Sequence, residues 1–190
     1  MNKGKIIVIA APSGCGKSTI INALLERGDL NLGFAVSATT RPPREGEVDG
    51  VNYYFMSVED FREAIAEGEF VEYEEVYPGR LYGTLKRELD RITDTGLNVI
   101  LDLDVNGALG VKAIYGSQAL TVFIEPPSIS ELRNRLESRG TETPENIDER
   151  IDRAEYELSR AVHFDRRIVN DNLGMAIDQT HNLIQGFTAQ

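Results

Sequence analysis

The sequence predicts an α/β fold: a three-layer αβα core on a mainly parallel sheet, with a small α+β lobe inserted into it and a helical lid. Three observations carry this prediction. Continuous apolar, β-branched runs at residues 5–10, 97–103 and 119–124 have the pattern of strands buried on both faces. Each is followed by a helical pattern, which is the alternation of a doubly wound sheet. Between Ser37 and Thr84 the alternation breaks, and Tyr, Arg and Glu become dense.

Taken in order, the strand at 5–10 runs into a glycine-rich turn and then a helix over 18–27. Ile20, Ile21, Leu24 and Leu25 recur there at helical spacing, and Gly28 is placed to end the helix. Within the interrupting stretch, 53–56 and 70–76 read as strands, separated by a short helix capped by Ser57 and Asp60. The core resumes with the strand at 97–103, a helix over 105–114, the strand at 119–124 and a helix over 128–139. Pro126-Pro127 and a capping box of Ser128 with Glu131 mark the start of that last helix. Thr143 and Pro144 form an N-cap and N1 pair, followed by a stripe of Ile147, Ile151, Ala154 and Leu158. A short strand at 167–169 and a helix over 173–184 complete the core. The division expected is a core of residues 1–36 and 85–190, with a lid at about 137–150 and a lobe at 37–84. Ligands in such folds sit at the carboxyl ends of the strands.

With 190 residues, 41% hydrophobic and 27% charged, the chain has the composition of a globular protein with one core. Its net charge of −11 argues against a nucleic-acid-coating surface, which needs clustered cations. No run approaches the ~18 apolar residues of a membrane span. The first apolar segment, about five residues long, is too short for a secretory signal. Cys15 is the only cysteine, so no internal disulfide forms, and a cytoplasmic location is expected. His163 and His181 lack partners at metal-ligand spacing, so no zinc site is assigned.

Ala11-Pro12-Ser13-Gly14-Cys15-Gly16-Lys17-Ser18, with Thr19 after it, lies between the first strand and the first helix. This is a phosphate-binding loop with Ala11 in the place of its usual first glycine. Its backbone N–H groups turn inward around phosphate, Lys17 reaches the β- and γ-phosphates, and the Ser18 hydroxyl ligates Mg²⁺. Asp102 and Asp104 close a buried strand where a metal-facing carboxylate is expected, although either could simply cap the next helix. The Asn-Lys-x-Asp run of guanine-reading GTPases is absent.

Residues 37–47 (SATTRPPREGE) and 49–55 (DGVNYYF), then Phe70-Val71-Glu72-Tyr73 and Tyr82-Gly83-Thr84, resemble the acceptor-binding elements of the guanylate kinase family. The resemblance extends through Arg135, residues 139–143 and Arg150 to about Asp171, with a slightly longer turn at 76–81 before Tyr82. Arg41 and Arg44, on a proline-stiffened loop, can present two guanidinium forks to a monophosphate. Tyr53 and Tyr82 offer hydroxyls to the same phosphate, as the matching tyrosines of the family do. Glu72 can accept N1–H and N2–H of guanine together, a pattern adenine lacks, though on its own it sits in an acidic run. The resemblance implies further base contacts from Ser37, Thr84 and Asp104, and a place beside the ATP adenine for Asn170.

Arg135 and Arg139, at i and i+4, and Arg150 on the next helix suit a flap that brings cations to the transferring phosphoryl group. Ordinary i,i+4 pairs with Glu131 or Glu137 are the plainer alternative. The resemblance implies an ATP:GMP phosphotransferase, acting on GMP and dGMP in purine nucleotide metabolism, with Mg²⁺ held by Ser18 and Asp102. Lys17, Arg41, Arg135, Arg139 and Arg150 are its expected catalytic cations. ATP and GMP are the expected partners, with no nucleic acid or membrane, and with monomer and homo-oligomer both open. A catalytically silent scaffold domain and a kinase for a phosphorylated ribose remain alternatives. Lys17 and Ser18 speak against the first, and Glu72 with Ser37 against the second.

Overall fold

A computed structural model of the chain describes residues 3–138 and 143–189. Strand β1 (Ile6–Ala10) is apolar and buried at every position, so it must lie inside a sheet covered on both faces. It is the middle strand of five, in the order β2 (Leu32–Phe34), β7 (Asn98–Asp102), β1, β8 (Ala119–Glu125), β9 (Arg166–Val169). Every pairing in this sheet is parallel.

Alternation along β1 splits the core into two layers. Ile7 and Ile9 pack against α1 (Lys17–Arg27), α5 (Ile129–Ser138), α6 (Pro144–Arg160) and α7 (Leu173–Thr188). Ile6, Val8 and Ala10 face α3 (Lys86–Thr93) and α4 (Val105–Tyr115). Fully burying one such aliphatic side chain is worth about 1.5–3 kcal/mol, so the two faces together fix the three-layer architecture.

The second sheet comes from the interrupting stretch, in the order β4 (Tyr54–Phe55), β3 (Ala38–Thr39), β6 (Arg80–Leu85), β5 (Phe70–Tyr77). With α2 (Val58–Ala66) it encloses a small core of its own, in which Phe61 and Phe70 stack at 4.3 Å. Ser57 caps α2 by accepting from the Asp60 N–H. Thr143 does the same for Asn146 at the start of α6.

The turn expected over 76–81 is narrower: Tyr77 pairs with Arg80 and Glu75 with Leu81, so only Pro78 and Gly79 make the turn. Strands β2, β3 and β6 and helix α3 add to the elements expected from sequence.

Candidate functional site

At the carboxyl ends of β1 and β7 lies a cleft of about 750 Å³. Residues 11–14 and 16–19 form its floor, Asp102 and Asp104 one side, and Arg150, Arg153 and Glu157 of α6 the other; Tyr77 reaches in from the tip of β5. Gly16 caps α1 at φ 84, in the left-handed region, and among the described residues no side chain bonds the first N–H groups of that helix. The first turn carries no acidic residue either, so these donors and the positive helix end are left to an anion. A Cβ on Gly16 would come within 2.7 Å of Asn170 Nδ2. Asn170 is buried behind the loop, where its amide donates to Cys15 O at 2.8 Å. It therefore props the loop from below.

Lys17 Nζ donates to Leu103 O at 3.2 Å and pairs with Asp102 Oδ1 at 2.5 Å. Arg150 donates to Ser13 Oγ, tying α6 to the loop. Arg135 takes the plainer alternative: its Nε pairs with Glu131 Oε1 at 3.0 Å along its own helix, and it does not line the cleft. The expectation for Arg139 lies outside the described residues.

In the second sheet, Arg41 is buried and its guanidinium is already engaged bidentately by Glu47, at 2.8 and 2.9 Å. The Arg44 N–H donates to the same carboxylate at 2.7 Å. Arg41 and this N–H together hold the Glu47 carboxyl down at about 2. The Arg41 guanidinium carbon stands 5.3 Å from the Tyr53 ring centre, and the Tyr53 and Tyr82 rings meet edge-on at 6.1 Å. Arg41, Tyr53 and Tyr82 thus form one cluster, and the Arg44 side chain is exposed beside it.

The β5–β6 register puts Glu72 opposite Thr84 and Glu74 opposite Tyr82, so all four share one face of the ladder. Thr84 Oγ1 donates to Glu72 Oε1 at 2.7 Å. Asp104 caps α4, as the plainer alternative allowed, through Oδ1 on the Gly107 N–H at 2.8 Å. A Cβ on Gly107 would stand 3.3 Å from Glu72 Oε2 and 3.2 Å from Asp104 Oδ1, so the two carboxylates meet over this glycine. Burial first, and then the Asp104 charge, push the Glu72 carboxyl up, against the Thr84 hydroxyl that stabilises its ionised form. Ser37 enters β3 beside these residues, its carbonyl accepting from Tyr54 N–H at 2.9 Å.

Sequence reasoning missed Arg153, Glu157 and the partner role of Glu47. Arg153 pairs with Glu157 at 3.1 Å and stands 3.8 Å from Glu74 and 4.0 Å from Asp104. It links the cleft to the Glu72 face of the second sheet. Burial pushes the Glu157 carboxyl up, although Arg153 and Lys17 favour its charge. A signal existed: positions 150, 153 and 157 fall on one face of a helix. For Glu47, six residues from Arg41 across a loop, no periodicity gives warning.

The sequence model of the guanylate kinase family matches residues 3–186. A guanylate kinase of Bacteroides thetaiotaomicron is 53% identical over 184 residues, covering 97% of this chain and 90% of the relative. One of Porphyromonas gingivalis is 52% identical over 186 residues, covering 98% and 99%. Among solved structures, the guanylate kinase of Anaplasma phagocytophilum superposes with a TM-score of 0.75 at 32% identity, covering all of this chain and 88% of that one.

Proposed function

The chain belongs to the guanylate kinase family, and from that premise we propose how its own residues divide the work of the two substrates. As a member of that family it transfers the γ-phosphoryl group of ATP to GMP, giving ADP and GDP. Residues 1–36 and 85–190 act as the P-loop core, which holds the donor and lends Asp104 to the acceptor, and 37–84 as the GMP-binding lobe.

On the donor side, residues 11–19 wrap the triphosphate, with the open N–H groups of α1 aimed at it. Lys17 exchanges its Asp102 partner for phosphate oxygens. That exchange releases a carboxylate in the cleft that Ser18 also lines, and these two oxygen donors suit Mg²⁺. No three His, Cys, Asp or Glu side chains among the described residues are grouped so as to hold a metal ion by themselves, so the remaining ligands would be phosphate and water, as Mg²⁺ prefers. When bound, the ion neutralises charge on the β- and γ-phosphates.

On the acceptor side, Arg41, Arg44, Tyr53 and Tyr82 hold the GMP phosphate. Glu47 fixes the direction of the Arg41 fork, so little conformational freedom is lost when the phosphate arrives. Glu72, with Ser37, Thr84 and Asp104, reads the guanine edge. The acceptor phosphate is itself the nucleophile and needs no general base. The chemistry therefore rests on alignment and on cations at the transferring group: Lys17, Arg150, and Arg135 and Arg139 once the lid closes. Asn170 serves ATP by holding the loop. The single cysteine, Cys15, buried in that loop, accords with a reducing cytoplasm.

The observation that carries the acceptor assignment is the pair of carboxylates, Glu72 and Asp104, converging over Gly107 with Thr84 on one of them. Coupled ADP release with GMP, dGMP, AMP and UMP as acceptors tests it. Turnover with GMP and dGMP, and none above background with AMP or UMP, is expected; equal rates with AMP would end the base assignment.

A further inference from the structure

Glu88, in the first turn of α3, is 1% exposed, among the most deeply buried charged side chains described. Its carboxylate accepts four hydrogen bonds. Val36 N–H and Arg91 Nη2 reach Oε1 at 2.9 and 2.8 Å; Tyr54 Oη and Arg91 Nε reach Oε2 at 2.9 and 2.8 Å. Burial alone would push this carboxyl up, but the Arg91 guanidinium, the Val36 N–H and the Tyr54 hydroxyl together hold it below the ordinary carboxylate range.

The donors come from separate places in the fold. The chain passes from the five-stranded sheet to the four-stranded one just before β3, through Val36. It returns where β6 ends at Leu85 and α3 begins at Lys86. Glu88 therefore stands beside the return crossing, grips the outgoing crossing at Val36, and reaches β4 through Tyr54. Neighbouring residues of an extended strand point to opposite faces. Tyr53 accordingly packs with Arg41 and Tyr82 on the acceptor-phosphate side, while Tyr54 turns back to Glu88. A buried carboxylate is a costly way to gain stability alone, because desolvation offsets most of what its partners return. What four well-made bonds do supply is a fixed geometry at the point where the two sheets join.

We propose that Glu88 is a positioning residue for the phosphoryl acceptor: by clamping both crossings to β4 it sets where Tyr53 and Arg41 stand relative to Lys17. This rests on the reading of Arg41 and Tyr53 as acceptor-phosphate contacts. Displacing an acceptor by about 1 Å can cost up to a hundredfold in rate, so a loosened clamp is felt at the chemistry although Glu88 touches no substrate.

The test compares Tyr54→Phe, which removes one hydrogen bond and keeps the ring, with Glu88→Gln and with Arg41→Met as a reference. Steady-state kinetics are measured with each substrate varied, and thermal unfolding alongside. The expected result for Tyr54→Phe is a rise in KM for GMP of roughly three- to tenfold with a lower kcat, and a KM for ATP within about twofold of the parent. Glu88→Gln should show the same split, larger; if it does not fold, Tyr54→Phe alone decides. A lowered Tm with an unchanged KM for GMP would make Glu88 a stability residue only and overturn the proposal, as would equal shifts for both substrates. If Arg41→Met keeps a normal KM for GMP, the acceptor-phosphate reading itself fails and takes the proposal with it. A raised KM in Arg41→Met beside a normal one in Tyr54→Phe sinks the Glu88 role alone.

Discussion

Replacing Glu72 by Gln should weaken catalysis with GMP and strengthen the fold at once. The carboxylate can accept two hydrogen bonds from guanine, while its Oε1 already takes one from Thr84 at 2.7 Å. Hydrogen bonds to a charged group are each worth about 1.5–3 kcal/mol, and Gln offers one acceptor together with an amide donor that faces the donors of guanine. A loss of about 3–4 kcal/mol follows, or roughly 10²–10³ in kcat/KM for GMP. The stability change has the opposite sign. The folded Glu72 carboxyl lies above its unfolded value because of burial and then Asp104. Such a group is favoured in its neutral form on folding, so stability rises as pH falls through the folded value, and at neutral pH its charge is a cost. A neutral amide removes that cost, so Tm should rise. Coupled ADP release with each substrate varied, and calorimetry at pH 7.5, read the two effects. A kcat/KM for GMP within threefold of the parent, or a Tm that falls, would refute the reasoning.

Other outcomes follow from the same geometry. Gly16→Ala must hold a Cβ at φ 84, where it meets Asn170 Nδ2. The backbone strain alone is about 1–2 kcal/mol; KM for ATP should rise at least tenfold while GMP binding, followed by calorimetric titration, is unchanged. Glu47 has a folded carboxyl at about 2, below its unfolded value, so its contribution is present above about pH 4.5 and lost as pH falls toward 2. Glu47→Gln should flatten the urea-unfolding stability profile across that window and raise KM for GMP. Chelating divalent cations with EDTA should abolish turnover yet leave the GMP affinity intact; retained turnover would remove Ser18 and Asp102 from a metal role.

Much of the core was legible because its signals are local. The β1 run, the Gly28 stop of α1 and the Thr143-Pro144 start of α6 each lie within a few residues of the element they define. Strand β2 was not legible: it has three residues at a sheet edge, and its pairing with Asn98–Ile100 lies more than sixty residues away. Helix α3 was hidden by composition, since only Leu89 and Ile92 carry its apolar face. In the site, Glu72, Thr84 and Asp104 could be named from motif resemblance, but not that a bare Gly107 lets the two carboxylates meet. Arg153 gains meaning only once α6 lies across the cleft from Asp104. The buried clamp at Glu88 takes Arg91 from its own helix but draws its other partners from Val36 and Tyr54, at separations no local pattern encodes.

Equilibrium binding of each nucleotide to two single variants tests the division of labour most directly. In calorimetric titrations, Lys17→Met should lose affinity for ATP by at least tenfold and bind GMP as the parent does, whereas Arg41→Met should lose GMP and keep ATP. A Lys17 variant that loses GMP, or an Arg41 variant that loses ATP to the same degree, would contradict separate donor and acceptor sites on the two sheets.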